Sequence, residues 1–425
     1  MKKYLYISFC FLLFNPIYSQ CEYSDLLLTM EDSWGDGWNG NTFCINDECT
    51  TLASGSFGTE EFCVNLEIEN DITCGGGSWP EEVFWNLSDF DGTTLATGGS
   101  PFEGCIGGSC ENEITESFEF NDNGQIRDYY LYRPNSIQDH APLVFVLHGY
   151  GGSAGGMIGY SDMNAVAEQN GFAVCYPDGI SDQSGANFWN VGYAMHQNQT
   201  VDDVAFLSSL ANYLQDEYGF DSQNTFSTGF SNGGDMSYML ACQASDIFKA
   251  IAPVAGCMME EIYNNCDPDP IPVLEIHGTN DNVTWWDGDM NNSGGWGNYL
   301  STLDGIDYWV DVNDCASSED INVTGNTINH RYFDCNNNVE VWLYEVIGGG
   351  HDWPNYSSQE IWNFFSQFTS IQGDINGDST INIQDLILVI NMILSSEFDN
   401  LGDINNDSII DILDVVLIVN IILND

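Results

Sequence analysis

The feature that most constrains this chain is an alternation running from residue 116 to 370. Short apolar segments recur there: "PLVFVLHG", "GFAVCYPDG", "NTFSTGFS", "FKAIAPVAG", "PVLEIHG" and "EVWLYEV". Most carry little polar alternation, as strands buried on both faces should. Between them lie helical patterns, "MNAVAEQN", "DDVAFLSSLANYLQDEY" and "DMSYMLACQA". Alternating β and α segments of this kind predict an α/β fold, a doubly wound, mostly parallel sheet with helices on both faces. The lead-in "ESFEFNDNGQIRDYYLYRP" reads as an antiparallel hairpin at one edge.

Within that frame the pattern Gly-x-Ser-x-Gly occurs twice, at Gly229-Ser231-Gly233 and at Gly151-Ser153-Gly155. A nucleophile elbow needs a strand running straight into the serine and a helix leaving straight after it. Ser231 has both neighbours; Ser153 lies beyond its strand in a glycine-rich loop and is rejected. A serine hydroxyl needs a base, and the base an orienting carboxylate. In a sheet of this class the order is serine, acid, histidine, on loops at strand C-termini. "PVLEIHGTNDNV" supplies Asp281 and "EVWLYEVIGGGHDWP" supplies His351. His148 and His277 also end strands but precede the acid in chain order, and are expected to hydrogen-bond within strand-end loops. The oxyanion donors are expected from the backbone N–H groups of Asn232 and of Tyr150 in "HGYGGS".

The blocks "HGYGGS", "YPDG", "VDDVAFL", "TGFSNGGDMSYMLAC", "APVAG", "HGTNDNV" and "GGGHDWP" together resemble the feruloyl esterase and polyhydroxybutyrate depolymerase family of α/β-hydrolases, over roughly residues 120–365. The resemblance implies Ser231 as nucleophile, Asp281 as acid and His351 as base, with no catalytic cofactor. "HGTNDNVTWW" departs from relatives, which often carry proline and small residues there. Trp285, Trp286 and Trp296 follow the acid and are candidates to stack on an aromatic acyl group or a sugar ring. Asp202 and Asp203 are more simply read as helix N-capping residues.

The flanks differ in character. Residues 1–20 read as a secretion signal, with Lys2 and Lys3 before the apolar "YLYISFCFLLF". The expectation is an exported protein with no transmembrane span in the mature chain, and with cell-surface attachment open. Residues 21–115 are rich in Gly, Trp, Cys and acid with short alternating runs, which predicts a small disulfide-rich β-sandwich. Export favours disulfides. Cys44/Cys49, Cys105/Cys110, Cys257/Cys266 and Cys315/Cys335 are plausible pairs, and one thiol is left over, with buried Cys175 preferred to a lipid-anchored Cys21. "MEDSWGDGWNGNTFCI" resembles a motif of many secreted multidomain proteins. Its Asp32 and Asp36 are spaced to share Ca²⁺ with Asp89 or Asp91; an acidic turn is the plainer expectation. Sixty-four Asp and Glu against six Lys and Arg, net −58, exclude nucleic acid as a partner by repulsion.

Residues 371–425 repeat themselves. "GDINGDSTINIQDLILVINMIL" from Gly373 and "GDINNDSIIDILDVVLIVNIIL" from Gly402 agree at 13 of 22 positions. Asp374, Asn376, Asp378, Thr380, Asn382 and Asp385 stand at loop positions 1, 3, 5, 7, 9 and 12 of a calcium loop. Asp403, Asn405, Asp407, Ile409, Asp411 and Asp414 repeat them, with Thr380 and Ile409 offering backbone carbonyls. An apolar helix follows each loop. The pair resembles a dockerin, the module that binds cohesin domains, although Ser379 and Ser408 stand where such a loop has glycine. The chain thus reads as a signal (1–20), a β-sandwich (21–115), an α/β-hydrolase (116–370) and dockerin-like repeats (371–425). Its expected activity is a serine esterase on polysaccharide esters such as feruloyl or acetyl groups. A polyester depolymerase and a non-catalytic adhesion or scaffold protein are the alternatives.

Overall fold

A computed structural model describes residues 21–424, apart from 22, 109, 111–114, 135–136, 139, 371, 377–379, 396, 406 and 408. The expected leader, Asp378, Ser379 and Ser408 therefore lie outside the described residues.

A ten-stranded sheet organises the middle of the chain. Six central strands run parallel, in the order Val341–Val346, Val273–Gly278, Ile251–Val254, Thr225–Phe230, Leu143–Leu147 and Ala173–Pro177. The anticipated hairpin, Glu116–Asp122 with Gln125–Tyr132, closes one edge. A second antiparallel hairpin, Ser317–Thr324 with Thr327–Phe333, closes the other.

Strand period two sorts the apolar side chains into two cores. Leu143, Phe145 and Leu147 pack with the helices Asp203–Tyr218, Asn232–Gln243 and Thr302–Val312. Val144 and Val146 point the other way, onto Ala154–Ser161, Met163–Asn170 and Ser357–Phe365. Both faces are covered, which is why these strands lack polar alternation.

The N-terminal part holds two four-stranded antiparallel sheets. Leu26, Leu28, Met30, Trp38, Phe43 and Trp85 form the core between them. Phe84, from the strand Val83–Asp89, instead joins a core of the large sheet and packs on Tyr130. Near the C-terminus the helices Ile383–Ser395 and Ile412–Asn424 pack on each other around buried Val389 and Ile418.

Disulfides join Cys21 to Cys63, Cys44 to Cys49, Cys105 to Cys110, Cys242 to Cys266 and Cys315 to Cys335. Cys266 therefore pairs with Cys242 rather than with Cys257. The reason is spatial: Cys242 ends the helix after Ser231, and its Cα lies 4.8 Å from that of Cys266. Among the described residues three thiols remain free instead of one: Cys74, Cys175 and Cys257. Among the described residues no helix is long and apolar enough to cross a membrane.

Candidate active site

The strand Thr225–Phe230 runs into Ser231, and the helix Asn232–Gln243 starts at the next residue. Ser231 has φ 54° and ψ −116°, a left-handed backbone that a residue with a Cβ seldom adopts. The turn is fixed from both sides. Ser231 N–H donates to Val254 O at 2.9 Å, and its carbonyl accepts from Asp235 N–H at 2.9 Å. A Cβ on Gly229 would lie 2.5 Å from the carbonyl carbon of Gly233, and one on Gly233 would lie 2.3 Å from Leu147 O. Neither position has room for a side chain. Ser153, by contrast, caps the helix Ala154–Ser161, its hydroxyl accepting from Gly156 N–H.

Asp281 and His351 meet. His351 Nδ1 lies 2.7 Å from Asp281 Oδ2. Asp281 is held by the N–H groups of Val283 and Thr284, which donate to its Oδ1 at 2.8 and 2.9 Å. Its side chain is fully buried, and that of His351 is mostly so. The imidazole rests on the ring of Phe230, the residue before Ser231, with centroids 4.9 Å apart. No hydrogen bond joins Ser231 to His351 directly among the described residues. In unliganded hydrolases that bond is often long and tightens with substrate.

Ser231 opens onto a narrow cleft with little free space, shared with Tyr193, Cys257, Val283, Thr284, Trp296 and Tyr299. Two backbone donors near it are unused. The N–H groups of Gly151 and Ser231 bond to Asn187 O and Val254 O, but those of Tyr150 and Asn232 have no partner among the described residues. Tyr150 is tethered by its hydroxyl, which donates to Asp182 Oδ2 at 2.7 Å. Of the three tryptophans, Trp296 lines the cleft and packs against Tyr150 and Tyr193. Trp286 packs against the main core and on His277. Trp285 is the most exposed of the three and donates to Asn282 O.

Several side-chain contacts were not anticipated from sequence, although His277 does hydrogen-bond within its strand-end loop as expected. The Asn232 side chain clamps Trp189, accepting from its N–H at 2.7 Å and donating to its carbonyl at 3.1 Å. Asp235, in the first turn after Ser231, accepts from Tyr193 OH and from Cys257 N–H. Burial pushes its carboxyl up to about 6. Behind Asp281 stands His277, with Nδ1 2.9 Å from Glu275 Oε1, and Nε2 2.9 Å from Thr284 O and 3.6 Å from Asp281 Oδ2. Burial pulls the His277 pKa down, but the hydrogen bond and charge of Glu275, with Asp281, outweigh it and raise it above its ordinary value. Burial drives Glu275 up to about 7. The available signal was a Glu and a His two residues apart in an otherwise apolar strand.

Other residues take the plainer of their two readings. His148 is buried, accepts from Gly179 N–H at Nε2 and donates from Nδ1 to Gly149 O; burial lowers its pKa to about 4. Asp202 caps its helix through Ala205 N–H, whereas Asp203, also expected to cap, instead pairs with Arg127 at 3.0 Å in the interior and accepts from Asn190 N–H.

The prolyl oligopeptidase family model matches residues 158–267. Feruloyl esterase C of Emericella nidulans is 30% identical over 267 residues, covering 61% of this chain and 89% of that protein. Feruloyl esterase B of Piromyces equi is 30% identical over 234 residues, 54% of this chain and 42% of that protein. A bifunctional acetylxylan esterase/xylanase of Neocallimastix patriciarum is 25% identical over 271 residues, 61% of this chain and 36% of that protein. The chain thus spans less than half the length of the last two. With most of the Emericella protein matched, and with a doubly wound sheet carrying a serine elbow at its centre, the chain belongs to the feruloyl esterase-like α/β-hydrolases.

Proposed function

We propose that the protein is a secreted serine esterase that hydrolyses carboxylic esters on polysaccharides, feruloyl or acetyl groups above all. The observation that carries this reading is the buried 2.7 Å contact of His351 with Asp281, beside the strained turn of Ser231. Asp281 fixes the imidazole with Nδ1–H toward it, which leaves Nε2 as the base. Ser231 Oγ attacks the ester carbonyl carbon while Nε2 takes its proton. The N–H groups of Tyr150 and Asn232 receive the oxyanion. The alcohol leaves with the proton from His351, and an acyl-serine forms. Water, deprotonated by the same nitrogen, then releases the acid. Trp296 stands where the acyl group would lie; Trp285 and Trp286 are proposed to border the outer part of the same site. No catalytic cofactor enters this scheme.

Around this centre we propose the organisation read from the sequence. Residues 1–20 are an export signal, 21–115 an accessory sandwich, 116–370 the esterase and 371–425 calcium-binding repeats. Five disulfides suit an oxidising compartment. The repeats bury Asp374, Asp385, Asp403 and Asp414, although no Lys, Arg or His occurs from residue 371 to the end. Buried carboxylates in a segment that has no basic side chain of its own suit a hard cation. In the first loop Asp374, Asn376, Asp378, Asn382, Asp385 and the carbonyl of Thr380 would hold Ca²⁺. In the second, Asp403, Asn405, Asp407, Asp411, Asp414 and the carbonyl of Ile409 would do so. Exposed Ile383, Ile412 and Leu413 give the helix starts an apolar face suited to a cohesin-like partner.

The test is turnover of methyl ferulate, acetylated xylan and polyhydroxybutyrate by the full chain, with Ser231→Ala as control. Preference for either of the first two supports the proposal. Activity confined to the polymer makes the protein a polyester depolymerase, and none on any ester, p-nitrophenyl esters included, makes it a non-catalytic scaffold.

A further inference from the structure

We propose that Asp32, Asp36 and Glu82 bind one Ca²⁺ ion at the seam between the N-terminal sandwich and the hydrolase. One carboxylate oxygen from each lies within 4.8 Å of the others. Asp32 is 3% exposed, and its two oxygens differ. Oδ1 accepts the N–H groups of Gly35 and Asp36, whereas Oδ2 is buried with no hydrogen-bond partner. A buried carboxylate oxygen left without a donor is costly, and two further carboxylates beside it add repulsion. Protein cations do not relieve it. The basic side chains of the described residues are Arg127, Arg133, Lys249 and Arg331. They are committed to Asp203, Glu116, the carbonyl of Asp246, and Glu319 with Glu340, respectively. Among the described residues Asn39 is the one side-chain amide that reaches the cluster, donating to Asp36 and Glu82. An oxygen-only donor set without imidazole or thiolate selects a hard ion over zinc or copper. Ca²⁺ takes about six to eight oxygens at flexible geometry, so three carboxylates anchor it and water completes the shell. Asp89 and Asp91 stand apart from the cluster: Asp89 pairs with Leu26, six residues along the strand from Asp32, and Asp91 lies in the turn beyond it.

The ligands come from two segments that both touch the hydrolase. Trp34, between Asp32 and Asp36, packs edge-on to Tyr150 at 6.4 Å, and its ring sits 2.6 Å from where a Cβ on Gly151 would be. Glu81, beside Glu82, brings its carbonyl oxygen to 1.9 Å from where a Cβ on Gly156 would be. The ion would therefore clasp two segments, one abutting the loop that carries Tyr150 and the other the helix that follows it. The site does not rest on the esterase reading.

The experiment counts ions on the full chain by equilibrium dialysis after chelation. The background variant carries Asp385→Asn and Asp414→Asn, which disable both C-terminal loops. Terbium luminescence excited through tryptophan provides a second readout, and near-ultraviolet circular dichroism checks the fold. The background should still bind one Ca²⁺ per chain. Adding Asp32→Asn should abolish it. Adding Asp36→Asn or Glu82→Gln should weaken it about tenfold or more, since a lost ligand costs no less than a lost outer-shell partner. If Asp32→Asn does not fold, the other two variants decide. No bound ion in the background at millimolar free Ca²⁺, or a count unchanged by Asp36→Asn and Glu82→Gln, overturns the site. Failure of the C-terminal proposal would appear separately, as one ion rather than three on the unmodified chain.

Discussion

Ser153 and Ser231 occupy the same five-residue pattern and end in different backbones. Ser153 is extended, φ −143° and ψ 160°, and turns its hydroxyl inward to cap a helix. Ser231 is left-handed and faces the cleft. The glycines differ as well. Gly229 and Gly233 make room for the sheet's own backbone, at Gly233 C and Leu147 O. Gly155 makes room for a neighbouring module: a Cβ there would lie 2.5 Å from the ring of Phe84. One string of residue types thus answers two steric problems, and only the strand entering and the helix leaving separate them.

The comparison breaks most sharply on chemistry. Ser231→Ala should cost about 10⁶ in kcat on a soluble ester, as the loss of a serine nucleophile does in other hydrolases. Asp281→Asn should cost about 10⁴, because the amide no longer holds the imidazole in the working tautomer. Single-turnover and steady-state rates with p-nitrophenyl acetate measure both. A Ser231→Ala variant retaining more than about a tenth of the rate would remove this serine from the mechanism.

Glycine variants sharpen it next. Gly233→Ala drives a methyl group into Leu147 O, which is backbone of a central strand, and should cost about 3 kcal/mol together with most activity. Gly155→Ala meets the root of the Phe84 side chain, Cγ at 2.5 Å and Cβ at 3.0 Å, so the sandwich must shift against the helix; it should cost about 2 kcal/mol with activity largely kept. Equal losses from the two, measured by chemical denaturation, would mean that the seam is as rigid as the elbow.

The acids around the elbow give a pH signature. Burial raises Asp235 to about 6 and Glu275 to about 7, so the folded chain keeps protons that the unfolded chain has released. Stability therefore falls as pH climbs from the ordinary carboxylate range through about 7. His277, raised by Glu275, adds a contribution that is present at low pH and lost as pH rises, which has the same sign. With chelator present, so that metal binding adds no pH term, the melting temperature should be several degrees higher at pH 5.5 than at pH 8. Asp235→Asn, which keeps an acceptor for Cys257 N–H and offers its amide N–H to the Tyr193 hydroxyl oxygen, should flatten the slope. A melting temperature that rises over that interval contradicts the assignment.

What was legible in the sequence follows the same divide. Strands buried on both faces announce themselves as apolar runs, so Leu143–Leu147 and Thr225–Phe230 stood out and the parallel sheet followed. The meeting of Asp281 with His351 was readable from chain order, because each loop ends a strand of that sheet. The far hairpin was missed because its outer strand, Ser317–Thr324, is mostly exposed and has no apolar run to read. Cys242 and Glu82 were missed for another reason. Each acts through a partner brought near by tertiary packing, Cys266 in one case and Asp32 in the other, and local pattern carries no trace of such a contact. Trp34 against Tyr150 belongs with these: it joins two units whose docking no periodicity encodes.

The smallest effect is the control for the whole comparison. Ser153→Ala removes a hydroxyl that accepts from Gly156 N–H at 3.1 Å and leaves that first-turn donor unpaired. A lost cap of this kind costs about 1 kcal/mol. In a unit of this size that lowers the melting temperature by about 2–4 °C. Because the Ser153 hydroxyl is turned toward its own helix, kcat/KM on a soluble ester should not change. The helix also carries Gly155 and Gly156 against the sandwich, so any further loss should appear in docking of the two units, seen as earlier proteolytic separation of the sandwich from the hydrolase. A large fall in turnover with a normal melting temperature would reverse the assignment of the two serines, since a cap can act on the rate only through the stability of what it caps.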